Sequence, residues 1–290
     1  DAVSALYNSG VPLLPTSDSG NYDNSDSLVG YWRNDSNSTW TDRANTGVAS
    51  FDGSNDYIAD TSVTNMPSDF GVSLSSWFKT SSSSAMAVFG VYKSSSANDW
   101  LAIGLDSGSI KAWHRTASGT SGASLVGSGY ADNNWHHCVI TYGGGDDRKI
   151  YVDGSLVGTQ TDSVGATPFP TGINVISIGR HGDASPGGYF NGQISGSNLF
   201  NVVLTASEIS ELYAIDKRSS ISGHSQFSNC VASYLNGAGD GDTASTIQDQ
   251  TSNNNDGTVN GASIIGYNNG TASGSPVSIV IPEGSTEGRD

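Results

Sequence analysis

The sequence predicts an all-β protein, a two-layer antiparallel sandwich that carries one short helix. Three observations lead there. Ser, Gly, Asn, Asp and Thr dominate, with 37 Gly and only 14% charged residues, a composition that favours short strands and tight turns over helices. The apolar 35% is gathered into short runs, several of which alternate with polar residues and are punctuated by Gly and Asp, the period-two pattern of half-buried strands. A capping box followed by a helical apolar stripe occurs with conviction once.

Taken in order, residues 1–10 read as the end of a helix with Val3, Leu6 and Tyr7 on one stripe, and Pro12 and Pro15 then break the chain. The polar run to Asp26 reads as a linker. Strand-like pieces follow from Leu28 to Leu199. Val72, Leu74, Ser76 and Phe78 share one face, with Trp77 on the other. Leu101, Ile103 and Leu105 alternate with Ala102 and Gly104, and Asp106-Ser107-Gly108-Ser109 turns the chain into Ile110–His114. Trp135–Tyr142, a Gly/Asp loop and Lys149–Val152 form the clearest hairpin, and Asp153-Gly154 makes a tight turn into Leu156-Val157. Ile173–Ile178 and Gly192–Phe200 supply two further strands. Thr205 and Glu208 then cap a helix whose Ile209, Leu212 and Tyr213 fall at i, i+3 and i+4. The tail from Tyr267 to Asp290 reads as a linker or arm, its only patterned stretch being Val277–Ile281.

Three short stretches recur at offsets of 206, 203 and 207 residues: Ala2–Tyr7 at Glu208–Tyr213, Leu28–Trp32 at Val231–Leu235, and Trp40–Arg43 at Ile247–Gln250. A period of this size is that of a whole domain. The expected organisation is a tandem array cut out of register: residues 1–27 end one module and link it, 28–214 form a complete sandwich, and 215–290 open a further module and add an arm. A start without Met inside a helix-like segment fits a fragment or processed piece.

The net charge is −16, from 12 basic and 28 acidic residues. With no basic stripe, nucleic acid is an unfavoured partner. No run of about eighteen apolar residues occurs, so membrane insertion through a helix is not expected. Two cysteines, Cys138 and Cys230, make neither a disulfide framework nor a metal cluster, and Cys138 sits in an apolar strand as a buried thiol would.

Phe51-Asp52-Gly53-Ser54-Asn55-Asp56-Tyr57-Ile58 resembles the opening strand of laminin-G-like, concanavalin A-type domains. Trp135-His136-His137 with Thr141-Tyr142, followed by Tyr151-Val152-Asp153-Gly154, resembles their central hairpin. Phe190–Ile194 through Leu204-Thr205 to Leu212-Tyr213 resembles their closing strand and helix. The resemblance spans roughly 28–214 and implies a jelly-roll sandwich of two curved antiparallel sheets. Val231–Tyr234 and the Asp249–Thr258 stretch resemble the family's usual first strand and turn. Ser/Asn-rich acidic modules of this kind are similar to segments of bacteriophage structural proteins and bacterial secreted proteins.

The same fold hosts glycanases and lyases, so catalysis has to be read from residues. Retaining glycanases need two carboxylates about 5 Å apart. The four Glu are Glu208 and Glu211 on the helix and Glu283 and Glu287 in the tail, none on a strand that could line a groove. No enzymatic activity is expected. His136 and His137 are read as structural hairpin residues. Calcium is the one cofactor that the oxygen-rich chain could hold, through Asp52, Asn55, Asp56, Asp153, Asp183, Asp240 or Asp242. The place where many relatives carry a calcium-ligating Asp is, however, Ser195-Gly196 here.

Sugar binding requires aromatic faces with polar neighbours for hydroxyls. Tyr92, Trp100, Trp113, His114 and Arg115 are candidates on one sheet, with a packing role as the alternative. Arg180, His181, Asp183 and Tyr189 are candidates on a Gly/Pro-rich loop. The expected function is adhesion or surface display at an extracellular or virion surface, with a glycan or cell surface as partner. A structural subunit that contacts copies of itself or neighbouring virion subunits is the rival from another class, and an atypical glycan-active enzyme the third. Trp135 is expected to anchor the core.

Overall fold

A computed structural model describes residues 47–118, 121–144, 147–160, 168–239 and 241–265. The expected helix end at 1–10, the strand at 28–32, Asp240 and the tail from 267 lie outside the described residues. The strands are β1 Val48–Asp52, β2 Tyr57–Asp60, β3 Val72–Lys79, β4 Met86–Tyr92, β5 Trp100–Asp106, β6 Ser109–Arg115, β7 Ser121–Ser128, β8 Trp135–Tyr142, β9 Arg148–Val152, β10 Ser155–Gln160, β11 Val175–Ile178 and β12 Asn191–Phe200. Helix α1 spans Ala206–Ala214, and β13 Cys230–Tyr234, β14 Thr246–Ile247, β15 Gly257–Asn260 and β16 Ser263–Ile265 follow.

Two antiparallel sheets face each other, as the sequence predicts. The first runs β10-β9-β8-β3-β12-β1-β16, and the second β14-β15-β2-β11-β4-β5-β6-β7. Period-two patterning sets which side chains meet between them. Leu74, Phe78 and Ile140 come from the first sheet, and Phe89, Val91, Leu101 and Ile103 from the second, all in one buried cluster. Asp153 and Gly154 both take positive φ, 49° and 77°, as a two-residue hairpin turn requires. Thr205 and Glu208 form the expected capping box, and Ile209 and Leu212 bury the helix stripe against Val139, Tyr151 and Phe200.

The boundaries differ from the expectation. Residues 230–265 are built into this same sandwich. β13 pairs with β12, β15 with β2, and β16 with β1. A register shift between Ser195 and Asn198 divides β12, so that one edge of it serves β1 at residues 191–194 and β13 at 197–200. The described sandwich therefore runs from 48 to 265. Trp135 also departs from its expected role. It sits at the end of β8, opposite Lys79, only partly buried, with Lys217 Nζ 5.3 Å from its ring centroid. The aromatic core of that hairpin is instead the buried Tyr142 and Tyr151.

Candidate functional site

Alternation gives the second sheet an outer face. With Leu101, Ile103 and Leu105 turned inward, Trp100, Ala102 and Gly104 of β5 point outward. The register places Arg115 opposite Trp100, Trp113 opposite Ala102 and Lys111 opposite Gly104, so these β6 residues share the outer face. Tyr92 of β4 and Val175 of β11 join Trp100 and Ala102 in a small apolar cluster with Trp113 packed against it. Trp113 can lie there because position 104 has no side chain: a Cβ on Gly104 would fall 2.5 Å from the Trp113 ring.

The segment 179–190 folds over this face. Gly179 N donates to Val88 O and Phe190 N to Gly179 O, while Gly188 O accepts from Ala87 N. Gly182 is pressed onto Ser177, Tyr92 and Val175, where a Cβ would come within 2.8 Å of Ser177. His181 consequently stacks on Trp113, with centroids 4.9 Å apart and planes 25° apart, and lies 5.4 Å from Trp100 and 5.7 Å from Tyr92. Arg180 lays its guanidinium over Tyr57, 3.3 Å from the ring centroid. Lys111 Nζ approaches Trp113 at 5.5 Å and pairs with Asp106.

Five polar atoms of this face and its covering loop are buried without a hydrogen-bond partner in the protein: Tyr92 Oη, Ser177 Oγ, His181 Nδ1, Arg180 Nε and Arg115 Nε. Each such buried group costs about 1–3 kcal/mol when left unpaired. Burial pushes the Tyr92 phenol well above its usual range. Burial also lowers the His181 pKa against the opposing charge of Asp183, which keeps the imidazole neutral at pH 7.

Of the residues singled out from sequence, Trp100, Trp113 and His181 pack together, with Arg115 beside Trp100 in register. Trp100 is only 8% exposed and supports the other two rings. Asp183 lies on the loop with one carboxylate oxygen accepting from Ser185 N, and Tyr189 is partly exposed at the loop's return. His114 is turned into the interior, with Nε2 3.2 Å from Pro168 O, and is not part of this face. Tyr57, Lys111 and Ser177 were missed. Lys111 was legible, because it stands two residues before Trp113 on the same strand. A shallow depression of about 440 Å³ opens separately along Asn65–Gly71 and Asn201.

The hairpin histidines are structural, as expected. His136 bridges Asp153 and Asp132 at 2.9 and 3.1 Å, and buried His137 holds Ser75 Oγ at 2.9 Å beneath Trp77. Of the oxygen donors named for calcium, three carboxylates are engaged by backbone amides, and Asp240 lies outside the described residues. Asp56 accepts from Asp52 N, Asp153 from His137 N, and Asp242 from the amides of Gly237, Gly239 and Gln248. At the family's closing-strand position, Ser195 Oγ is spent on Lys217 O and Leu235 O. Among the described residues no three His, Cys, Asp or Glu gather as metal ligands.

No curated protein matches the chain. Among solved structures, a candidate carbohydrate-binding protein from Bacteroides ovatus is similar at a TM-score of 0.54 and 15% identity, over 76% of this chain. This chain spans 59% of that protein's length. The SAP-like pentraxin of Limulus polyphemus aligns at a TM-score of 0.47 and 15% identity, over 60% of this chain and 84% of its own. The IT-sialidase CBM40 of Ruminococcus gnavus aligns at 0.47 and 13%, over 58% and 97%. A family model described as the concanavalin A-like lectin/glucanases superfamily matches residues 52–210, more than half of the chain, and the protein belongs to that superfamily.

Proposed function

We propose that this module is a non-enzymatic carbohydrate-binding domain that takes a glycan on the outer face of its second sheet. One observation carries the reading. Trp113 stacks on His181 and meets Trp100 on the outer face of the sheet, with the Lys111 ammonium 5.5 Å from its ring and Arg115 on the same face. An aromatic surface flanked by cationic side chains is what a sugar needs, a stacking platform with fixed donors for its hydroxyls. Arg115 and Lys111 supply cationic donors next to that ring. A fold neighbour that is itself a candidate carbohydrate-binding protein supports the same ligand class.

The non-catalytic reading rests on the placement of the acids. Glu208 and Glu211 are on α1, held by the Thr205 amide and by Ser225, and Glu283 and Glu287 lie outside the described residues. A glycan on this face would be met at an extracellular or virion surface, so adhesion or display is the task we assign. Among the described residues no helix is long and apolar enough to cross a membrane.

A glycan array followed by calorimetry tests the reading. Trp113→Ala and Arg115→Ala should each weaken binding at least about tenfold, roughly 1.4 kcal/mol, and Arg115→Ala should leave the melting temperature nearly unchanged. Full binding by both variants, or no glycan bound by the wild type, would leave the structural-subunit reading in its place.

A further inference from the structure

The cations around the second sheet's outer face divide into matched and unmatched. Lys111 is paired with Asp106, and Lys93 Nζ lies 3.7 Å from the buried Asp99 carboxylate. Arg115 and Arg180 have no such counter-charge. The Nε of each is buried without a hydrogen-bond partner in the protein, and among the described residues no carboxylate pairs with either guanidinium. In a chain of net charge −16, two unpaired guanidinium groups on one face stand against the overall balance.

The fold fixes where they are. Along β6, Ile110, Ala112 and His114 are buried while Lys111, Trp113 and Arg115 are half-buried, so these last three project from one face. Arg115 stands opposite Trp100, and Trp100 opposite Tyr92. Arg180 precedes His181, which stacks on Trp113, and lays its guanidinium on Tyr57 of β2. Strands β11, β4 and β5 separate β2 from β6 in the sheet. The two guanidinium groups therefore flank the aromatic cluster from opposite sides.

A guanidinium whose Nε is withdrawn from water has lost part of its hydration, and no group of the protein replaces it. An ionised acceptor makes good that loss better than a hydroxyl, because charge-assisted hydrogen bonds are roughly twice as strong as neutral ones. The planar fork of an arginine also matches two oxygens of one oxyanion. We propose that the glycan taken by this face is acidic, its carboxylate or ester sulfate groups held by Arg115 and Arg180 while a sugar ring packs on Trp113. The inference rests on the glycan-binding reading and adds the ligand's charge to it.

Probes that differ in charge test it on the full chain by calorimetry: polygalacturonate against its methyl ester, and dextran sulfate against dextran. The first pair reads carboxylate and the second sulfate. At least one acidic member should bind at least about tenfold more tightly than its neutral counterpart, and its affinity should fall as salt is raised. Arg115→Gln combined with Arg180→Gln should erase that preference. Arg218→Gln, which removes a cation paired with Asp216 beyond α1, should keep it. Should the double variant lose cooperative melting, Arg115→Gln alone decides, with an expected loss of preference of at least about threefold. Equal binding within both pairs, or an acidic preference that survives these substitutions, overturns the proposal and leaves a neutral glycan as the ligand. Failure to bind all four probes overturns it as well; a neutral glycan captured on an array would then preserve the glycan-binding reading, and an empty array would end both.

Discussion

Trp113 and His114 are consecutive on β6 and face opposite ways. Trp113 enters the outer aromatic cluster, while His114 is enclosed between Phe70 and Tyr142. Burial, with the nearby Arg148 charge, lowers the His114 pKa to about 4, and burial takes His137 to about 3. Unfolded histidine titrates near 6.5. Between those values the unfolded chain binds more protons than the folded one, so the stabilisation is complete above pH 6.5 and is lost as the pH falls towards 4. Each histidine should remove about 2 kcal/mol of stability between pH 7.5 and 5. Asp60 and Asp242, raised chiefly by burial, act in the opposite sense at more acidic pH. Denaturant titrations of His114→Phe should show the pH 7.5-to-5 loss reduced by about 2 kcal/mol, and an unaltered loss would refute the assignment. At this scale the sequence was half legible. Alternation along β6 separates Trp113 from His114, yet both were grouped as ligand candidates because alternation does not say which face is the core.

Elements made by adjacent residues were the most legible. The β8–β9–β10 hairpins and α1 follow from patterning, a turn dipeptide and a capping box, each contained within a few residues. β4 was harder, because all seven of its residues are buried. One side faces the core and the other is covered by the 179–190 loop, which erases the alternation a surface strand would show. The Asp249 carboxylate makes most of the bonds that hold the turn after β14, with Asp256 Oδ1 accepting from Asp249 N. Asp249 accepts from three backbone amides and from Thr251 Oγ1. Asp249→Ala should destabilise the module by about 3 kcal/mol or more, since it strands several buried donors at once. Asp249→Asn, which keeps one acceptor oxygen, should cost less. A chemical-denaturation midpoint for Asp249→Ala equal to the wild type would show that this turn does not fasten β13.

Over the whole molecule, the partner of β12 was hidden from the sequence. The resemblance of Val231–Tyr234 and Asp249–Thr258 to the family's first strand and turn assigns them to a further module, and nothing in residues 230–265 announces that they return to a sandwich already begun at Val48; only the register shows it. The consequence is testable by truncation. A chain stopped after Ala214 retains every motif of the resemblance over 28–214 but loses β13, β15 and β16. Leu199 and Ile58 would lose the neighbours that pair beside them, and the core would lose Val231, Ala232, Tyr234 and Ile247. Removing one large buried side chain costs about 2–5 kcal/mol, and a domain holds only about 5–15 kcal/mol in all. Four buried residues and three strand pairings together exceed that margin. The chain ending at 214 should therefore fail to show cooperative thermal unfolding, whereas one ending at 265 should melt like the full chain. Equal melting transitions for both would mean that residues 48–214 close without their carboxyl-terminal strands.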